Sequence, residues 1–144
     1  MLASLFLLTT LLSTCLAQNA DCPSGKTYAV KEFESAAVIS RANRVSTGSL
    51  LNLNSLFYNG TNLAYPSTIC LPYPCDNYQV QSGDICATVA QTHGLSLPAF
   101  KQYNLDINGE CKNMLTGYDV CISAPETAAA GGTGGKTRRR KRST

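Results

Sequence analysis

The alternation of hydrophobic and polar positions over residues 76–123 predicts a small unit with a strand at each end and two short helices between. Residues 78–81 alternate apolar and polar side chains, which is the period of a half-buried strand. Apolar side chains recur at helical spacing over residues 85–93, and a second helix begins after Ser96. Residues 117–122 restore the strand alternation. The predicted order is β-α-α-β, and the strands are antiparallel because the helical hairpin brings the chain back.

Several side chains are predicted to fix the two helices of this unit. Asp84 is placed to cap the first helix and Ser96 to cap the second. Pro98 falls in the first turn of the second helix, where its fixed φ is favourable. Phe100 and Tyr103 are three positions apart and are expected on the inner face.

The same pattern occurs fifty residues earlier in the chain. Residues 28–54 align with residues 78–104 without a gap, and the core positions agree in character. If one additional residue is allowed in the loop of the second unit, residues 69–71 match residues 120–122. We therefore interpret residues 28–72 as a second β-α-α-β unit, and the short, proline-stiffened joint predicts that the two units lie close together.

The amino-terminal segment is predicted to be a signal peptide over residues 1–17. It has no charged side chain, and its apolar run is too short to span a bilayer. Cys15, Leu16 and Ala17 place small residues at the two positions that a signal peptidase reads. No Lys or Arg precedes the apolar run, and a buried core helix is the alternative. We expect a secreted, extracellular protein without a membrane span.

Secretion decides how the seven cysteines are interpreted. Cys15 would leave with the signal, and an even number of six would remain. An even count in a small secreted chain indicates disulfides, and the absence of close C-x-x-C pairs argues against a metal site. The predicted fold class is therefore α+β, with two tandem β-α-α-β units stapled by disulfides.

The cysteine connectivity is a hypothesis, because six cysteines allow fifteen pairings. The first unit lacks counterparts of both Cys86 and Cys111, and two cysteines that are missing together are expected to pair with each other. The remaining cysteines would then form equivalent staples of the two units. The predicted bridges are Cys22–Cys70, Cys75–Cys121 and Cys86–Cys111.

Two further features concern the surface of the protein. Asn59-Gly60-Thr61 is a glycosylation sequon on a predicted loop. Residues 124–144 are dominated by Thr, Ala and Gly and then by Lys and Arg, which predicts a disordered basic tail. This tail holds six of the twelve basic residues, so the rest of the mature chain has six Lys and Arg against eight Asp and Glu. The predicted folded part is thus slightly acidic, with a net charge of −2.

The sequence contains little that suggests catalysis. The single histidine, His93, falls where a helix ends, and that position favours a structural role. No Ser or free Cys has an evident His or Asp partner, and there is no glycine-rich phosphate loop. We expect no enzymatic activity, no metal and no cofactor.

The second unit resembles a known family. Its motif comprises Tyr78-x-Val80-x-Ser82-Gly83-Asp84-x-Cys86, then Ala90, Gly94, Phe100, Tyr103-Asn104 and Gly117-x-x-Val120-Cys121-Ile122. These residues look like a fungal-type lysin-motif (LysM) domain over residues 76–123. Residues 28–72 resemble a degenerate LysM domain.

The resemblance implies binding to chitin and related N-acetylglucosamine polymers. Small secreted tandem-LysM proteins of fungi sequester chitin fragments or coat hyphal walls against host immunity. In the family, the sugar lies between the first strand–helix loop and the loop after the second helix. Transferred to this chain, the binding residues are Ser82, Gly83, Asp84, Ile85, Asp106, Ile107 and Asn108. Ile85 and Ile107 are expected to be exposed and to flank the acetyl methyl group of the sugar, since an exposed apolar loop residue has no structural role of its own.

An alternative function uses the basic tail. Residues 138–142 could bind anionic wall polymers or another anionic surface by charge alone, or could be processed away. No nucleic-acid partner is expected, because a nuclear signal conflicts with secretion. The first unit, in which Phe33 and Ser35 replace the loop chemistry, is expected to bind sugar weakly or not at all. It would instead support the second unit or offer a dimer surface.

Overall fold

The computed structural model describes residues 22–56 and 63–127. Within these ranges the order β-α-α-β occurs twice. The first series is β1 (Thr27–Val30), α1 (Ala36–Asn43), α2 (Thr47–Leu53) and β2 (Ser67–Cys70), and we call residues 22–71 unit one. The second is β3 (Asn77–Gln79), α3 (Cys86–Thr92), α4 (Leu97–Tyr103) and β4 (Asp119–Cys121), and we call residues 75–123 unit two.

Each unit has one antiparallel pair of strands. In unit one β1 pairs with β2, and Tyr28 lies opposite Ile69. In unit two β3 pairs with β4, and Tyr78 lies opposite Val120. The antiparallel pairing expected for each unit is therefore confirmed. The strands are shorter than predicted, and Val80 lies beyond β3 although its amide still bonds the carbonyl of Tyr118 at 2.8 Å.

Each unit has its own hydrophobic core under its two helices. The core of unit one comprises Val30, Ala36, Ile39, Val45, Leu50, Leu51, Leu63, Ile69 and Leu71. The core of unit two comprises Val80, Cys86, Val89, Ala90, Phe100, Ile107 and Val120. Phe100 has no exposed surface, so its predicted inward position is confirmed. Pro98 lies in the first turn of α4 and the Ser96 side chain caps that helix, both as predicted.

One asparagine in each unit ties the last helix to the last strand. The Asn104 amide group donates to the carbonyls of Phe100 and Cys121, at 2.9 and 2.8 Å, and its oxygen accepts from the Cys121 N–H at 2.7 Å. Asn54 makes the equivalent bonds to Leu50 and Cys70 in unit one. In each unit the asparagine side chain thus holds the last strand against the end of the second helix.

Three disulfides link the six cysteines of the described residues. The structure joins Cys22 to Cys70, Cys75 to Cys121 and Cys86 to Cys111. These are the same three pairs that the comparison of the two units suggested. Two of the bridges each close one unit, and the third connects α3 to the loop before β4. For units with cores this small, each staple contributes roughly 2–4 kcal/mol to stability.

The two units are in direct contact, as the short joint predicted. The Arg41 guanidinium donates to the Asp119 carboxylate at 3.1 Å, and the Cys75 N–H donates to the Arg44 carbonyl at 2.7 Å. Arg44 also pairs with Asp76. The contact joins α1 and the start of α2 to β4 and the segment before β3.

The predicted tail begins too early at residue 124. Residues 124–127 belong to the described part of the chain, and the Glu126 N–H donates to the Pro74 carbonyl at 2.8 Å. The predicted signal peptide, the Asn59 sequon and the basic residues 138–142 lie outside the described residues. Among the described helices, none is long and apolar enough to cross a membrane.

Candidate ligand-binding loops of unit two

The loop between β3 and α3 presents backbone and one apolar side chain to solvent. Gly83 has a φ of +88°, which a residue with a side chain rarely adopts. A Cβ added there would have no atom within 4 Å, so the peptide groups around Gly83 are accessible. Ser82 is exposed and Ile85 is 58% exposed, which confirms the exposure expected for Ile85. A ligand can therefore approach this backbone closely.

Asp84 does not cap α3, contrary to the sequence-based expectation. The residue at the N-cap is Ile85, and its N–H is bonded by the Thr88 hydroxyl at 3.3 Å. The Asp84 carboxylate instead accepts from the Tyr78 hydroxyl at 2.8 Å and the Gln81 N–H at 2.7 Å. The hydrogen bond between Tyr78 and Asp84 raises the pKa of Tyr78, because a phenolate beside a carboxylate is disfavoured.

Unit one repeats this arrangement around Glu34. Its carboxylate accepts from the Tyr28 hydroxyl at 2.9 Å and from the Lys31 N–H at 2.9 Å. An acidic side chain that makes the same bonds in both units has a structural duty in the turn. Asp84 therefore shapes the loop that carries Gly83.

The second candidate loop runs from residue 105 to residue 118, between α4 and β4, and we call it the binding loop. Asn108 is exposed at its tip. The Asn108 side-chain oxygen accepts from the Lys112 N–H at 3.0 Å, and the Asn108 N–H donates to the Asn113 side chain at 2.8 Å. These bonds fold the tip into a compact turn.

Ile107 is not exposed, and that expectation is wrong. Only 8% of its surface is accessible, and it belongs to the core of unit two. An apolar residue in a loop can fill the core from the side, and periodicity does not reveal this. Ile107 thus anchors the binding loop from beneath.

Asp106 also lies apart from the other candidate residues. Its carboxylate accepts from the Ser49 hydroxyl at 2.8 Å and from the Ser46 hydroxyl at 3.4 Å, both in unit one. Burial raises the pKa of the Asp106 carboxyl above its usual value of 3.8, while the two serine bonds act in the opposite direction. Asp106 therefore faces the contact between the units.

The disulfide Cys86–Cys111 holds the two loops side by side. Its Cα atoms are 6.1 Å apart; Cys86 directly follows Ile85, and Cys111 is in the binding loop. The structure thereby assembles four exposed candidates at one end of unit two, namely Ser82, Gly83, Ile85 and Asn108. Of the other three candidates, Asp84 shapes the first loop, Ile107 anchors the binding loop in the core, and Asp106 attaches the binding loop to unit one.

The surface so formed has the chemistry of a binding site for an uncharged ligand. It offers peptide groups, a hydroxyl, an amide and one apolar side chain. His93 lies at the end of α3, as expected, and its ring also packs on Tyr78 with 4.9 Å between the ring centroids. Among the described residues, no group of three His, Cys, Asp or Glu is arranged to hold a metal ion.

A separate groove lies between the two units. It has a volume of about 180 Å³ and uncharged walls. The lining residues are Ser46, Ser49, Pro72, Tyr73, Gln102, Tyr103, Leu105, Cys121 and Pro125. Tyr103, expected on the inner face of its helix, thus faces this groove.

Sequence reasoning missed Ser46, Gly48 and Ser49 as partners of the binding loop. A signal was present at Gly48, because glycine inside a short helix weakens it and so calls for a reason. The aligned residue in unit two is Pro98. A glycine within a helix is usually required because another part of the chain approaches the helix closely. At Gly48 it is the Asp106 carboxylate that does so.

Comparison with known proteins identifies part of the chain. Residues 78–115 match the LysM domain family, and this range contains all seven candidate residues. A secreted LysM effector of Pochonia chlamydosporia is 33% identical over 100 residues, which cover 68% of this chain and 15% of that protein. A non-secreted LysM effector of Gibberella moniliformis is 32% identical over 100 residues, covering 68% of this chain and 14% of that protein.

The chain thus contains a LysM domain and is homologous to fungal LysM effectors. It spans about one seventh of the length of these two relatives. Among solved structures, a spore cortex-lytic enzyme of Bacillus megaterium is similar at 24% identity, over 69% of this chain and 22% of that chain. Its TM-score of 0.36 is too low to support an argument about this protein.

Proposed function

We propose that the protein is a secreted, non-enzymatic carbohydrate-binding protein that binds chitin-type N-acetylglucosamine polymers at the two loops of unit two. The match of residues 78–115 to the LysM domain carries this proposal, because that range contains all seven candidate residues and the disulfide that joins their two loops. The chemistry of the exposed residues agrees with such a ligand.

An N-acetyl sugar is neutral and needs peptide groups for its amide and an apolar contact for its methyl group. The accessible backbone at Gly83 can supply the hydrogen bonds, and Ile85 can cover the methyl group. The Asp84 carboxylate is already bonded to Tyr78 and Gln81. We assign direct contact to Ser82, Gly83, Ile85 and Asn108, and a supporting role to Asp84, Asp106 and Ile107.

The biological role that fits this binding is that of a fungal effector, which sequesters chitin fragments or shields hyphal walls from host immunity. Homology to fungal LysM effectors supports it. The relatives include secreted and non-secreted proteins, and the apolar segment at residues 1–17 favours secretion.

Unit one is proposed to be a degenerate LysM domain with weak or no sugar binding. The shared element order and the equivalent bonds of Glu34 and Asn54 support the relationship. Phe33 stands at the position of Gly83 and is 84% exposed, so its side chain lies where the backbone of unit two is open.

The test is retention of the oxidised protein on insoluble chitin, with cellulose and xylan as comparison matrices, at low and high salt. We expect retention on chitin alone, unaffected by salt, because the proposed contacts are uncharged. Ile85→Ala should weaken binding about tenfold through loss of apolar contact. Val38→Ala, which shortens a similarly exposed apolar side chain on unit one, is the matched control and should bind as the wild type does.

Release by salt would contradict this proposal and favour the basic residues 138–142 as the binder, since charge-driven binding weakens steeply with ionic strength. Equal retention on all three matrices would also contradict it. Equal binding by the Ile85→Ala variant would remove the apolar contact from the proposed site.

A further inference from the structure

Four consecutive residues of unit one touch both ends of the binding loop of unit two. They are Ser46, Thr47, Gly48 and Ser49, at the start of α2, and we call them the platform. Their contacts fall on Asp106, at the beginning of the binding loop, and on Asp119, directly after its end.

At the beginning of the loop, the carboxylate of Asp106 is held by the Ser49 and Ser46 hydroxyls. The bond from Ser49, at 2.8 Å, joins a hydroxyl to a partly buried acidic group. Hydrogen bonds to charged groups are roughly twice as strong as those between neutral groups. This end of the loop is therefore fixed to α2.

Gly48 makes that contact sterically feasible. A Cβ on Gly48 would lie 1.8 Å from the Asp106 Oδ2 atom and 2.6 Å from its Cγ atom. The space that remains between Gly48 and the loop is about 10 Å³, which is near the minimum for a single water molecule. The carboxylate thus rests directly on the helix backbone.

At the end of the loop, the Asp119 N–H donates to the Thr47 hydroxyl at 2.9 Å. The Asp119 carboxylate, almost completely buried, is paired with Arg41 of α1, which also donates to the Gly117 carbonyl at 3.2 Å. Both ends of the loop are consequently attached to one short stretch of unit one.

The fixed end is connected to the tip through Asn113. Its side-chain amide donates to the Asp106 carbonyl at 2.7 Å, and its side-chain oxygen accepts from the Asn108 N–H at 2.8 Å. A displacement of Asp106 is therefore passed to Asn108 through two hydrogen bonds.

The platform is not a general requirement of the β-α-α-β unit. The aligned residues after Ser96 in unit two are Leu97, Pro98 and Ala99, without hydroxyls or glycine. Both Ser46 and Ser96 still cap their helices, so the two extra hydroxyls and Gly48 serve something other than the helix itself.

We infer that the platform is a positioning element for the sugar site of unit two, and that Asp106 is a positioning residue without contact to the ligand. Unit one thereby acts in ligand binding without binding sugar itself. This inference rests on the proposed function.

The experiment measures the affinity of the oxidised full chain for a tetramer of N-acetylglucosamine by calorimetry, well below the melting temperature of every variant. Gly48→Ala and Ser49→Ala should each weaken binding by roughly three- to tenfold, since remote positions modulate a site by this order. Ser49→Thr keeps the hydroxyl and should restore wild-type affinity. Thr68→Ala, at an exposed position of β2, is the control and should leave affinity unchanged.

Amide chemical shifts of Asn108 and Lys112 provide a second readout. In the absence of sugar they should move in Gly48→Ala and Ser49→Ala and stay in place in Thr68→Ala. Wild-type affinity and unmoved shifts in both platform variants would overturn the inference. If the wild type itself does not bind, the proposed function fails, and the shifts alone decide whether the platform positions the loop.

Discussion

Phe33 and Gly83 occupy equivalent turns in the two units and have similar backbone angles, with φ of +63° and +88°. For a residue with a Cβ this region costs about 1–2 kcal/mol. Phe33 is 84% exposed, so burial of its ring offsets little of that cost. The bonds of Glu34 to Tyr28 and Lys31 hold the turn in place.

Replacement of Phe33 by glycine should therefore stabilise unit one. We expect Phe33→Gly to raise the free energy of unfolding by about 1 kcal/mol, measured by urea denaturation with the disulfides intact. Phe33→Ala retains the Cβ and is the matched control, for which no such gain is expected. Equal stabilisation by both variants would show that the aromatic ring, and not the backbone angle, is the source of the cost.

At the scale of elements, the asparagine that follows each helical hairpin is the main polar anchor. Asn104 is completely buried, and its side chain satisfies two carbonyls and one N–H of the backbone. Asn54 makes the same bonds but is partly accessible. If the asparagine were removed, water could therefore reach the unpaired backbone groups in unit one but not those in unit two.

Asn104→Ala should accordingly destabilise the protein by about 3 kcal/mol, because it strands three buried backbone groups. Asn54→Ala should cost clearly less, although it removes an equivalent set of bonds. Thermal and denaturant unfolding of the two variants measure the difference. Equal costs would mean that exposure of the Asn54 site does not relieve the loss.

The elements themselves were largely predictable from local signals. Ser96 and Pro98 marked the start of α4, and apolar spacing located both helices of unit two. The strands were predicted too long. The observed strands have only three or four residues, and each ends where a turn of the chain interrupts the pairing. Alternation of side chains continues past that point, so periodicity does not reveal the end.

The candidate site was only partly predictable. The exposed backbone at Gly83 and the exposed side chain of Ile85 follow from a local turn, and the sequence indicates such turns. The burial of Ile107 and the placement of Asp106 depend on how a loop packs against distant segments. Local patterns carry no information about such packing.

At the scale of the whole molecule, the contact between the units contains two carboxylates with raised pKa values. Burial raises the pKa of both Asp106 and Asp119 above 3.8, and Arg41 counteracts this for Asp119. A raised folded-state pKa means that the folded protein holds the proton more tightly than the unfolded chain. Ionisation of these groups thus lowers stability as the pH rises.

Asp106→Asn removes one of these titrations and leaves Asp119 in place. Relative to this variant, the wild type should lose stability as the pH rises from 3.8 through the raised pKa of Asp106, and the difference should be constant above it. Melting temperatures of both proteins at pH values from about 3 to 7 test this. If the difference in melting temperature between the two proteins did not change with pH, Asp106 would not have a pKa raised by burial.

The two disulfides that each close one unit also determine how the molecule responds to a pulling force. Tension applied at Cys22 and Cys121 passes through Cys22–Cys70 and Cys75–Cys121, whose Cα atoms are 5.3 and 5.7 Å apart, and bypasses both cores. Only the stretch from Cys70 to Cys75 can lengthen, to about 18 Å at full extension. Neither unit can be unravelled from its ends, so a chain attached at these two points behaves as a short, nearly inextensible tether.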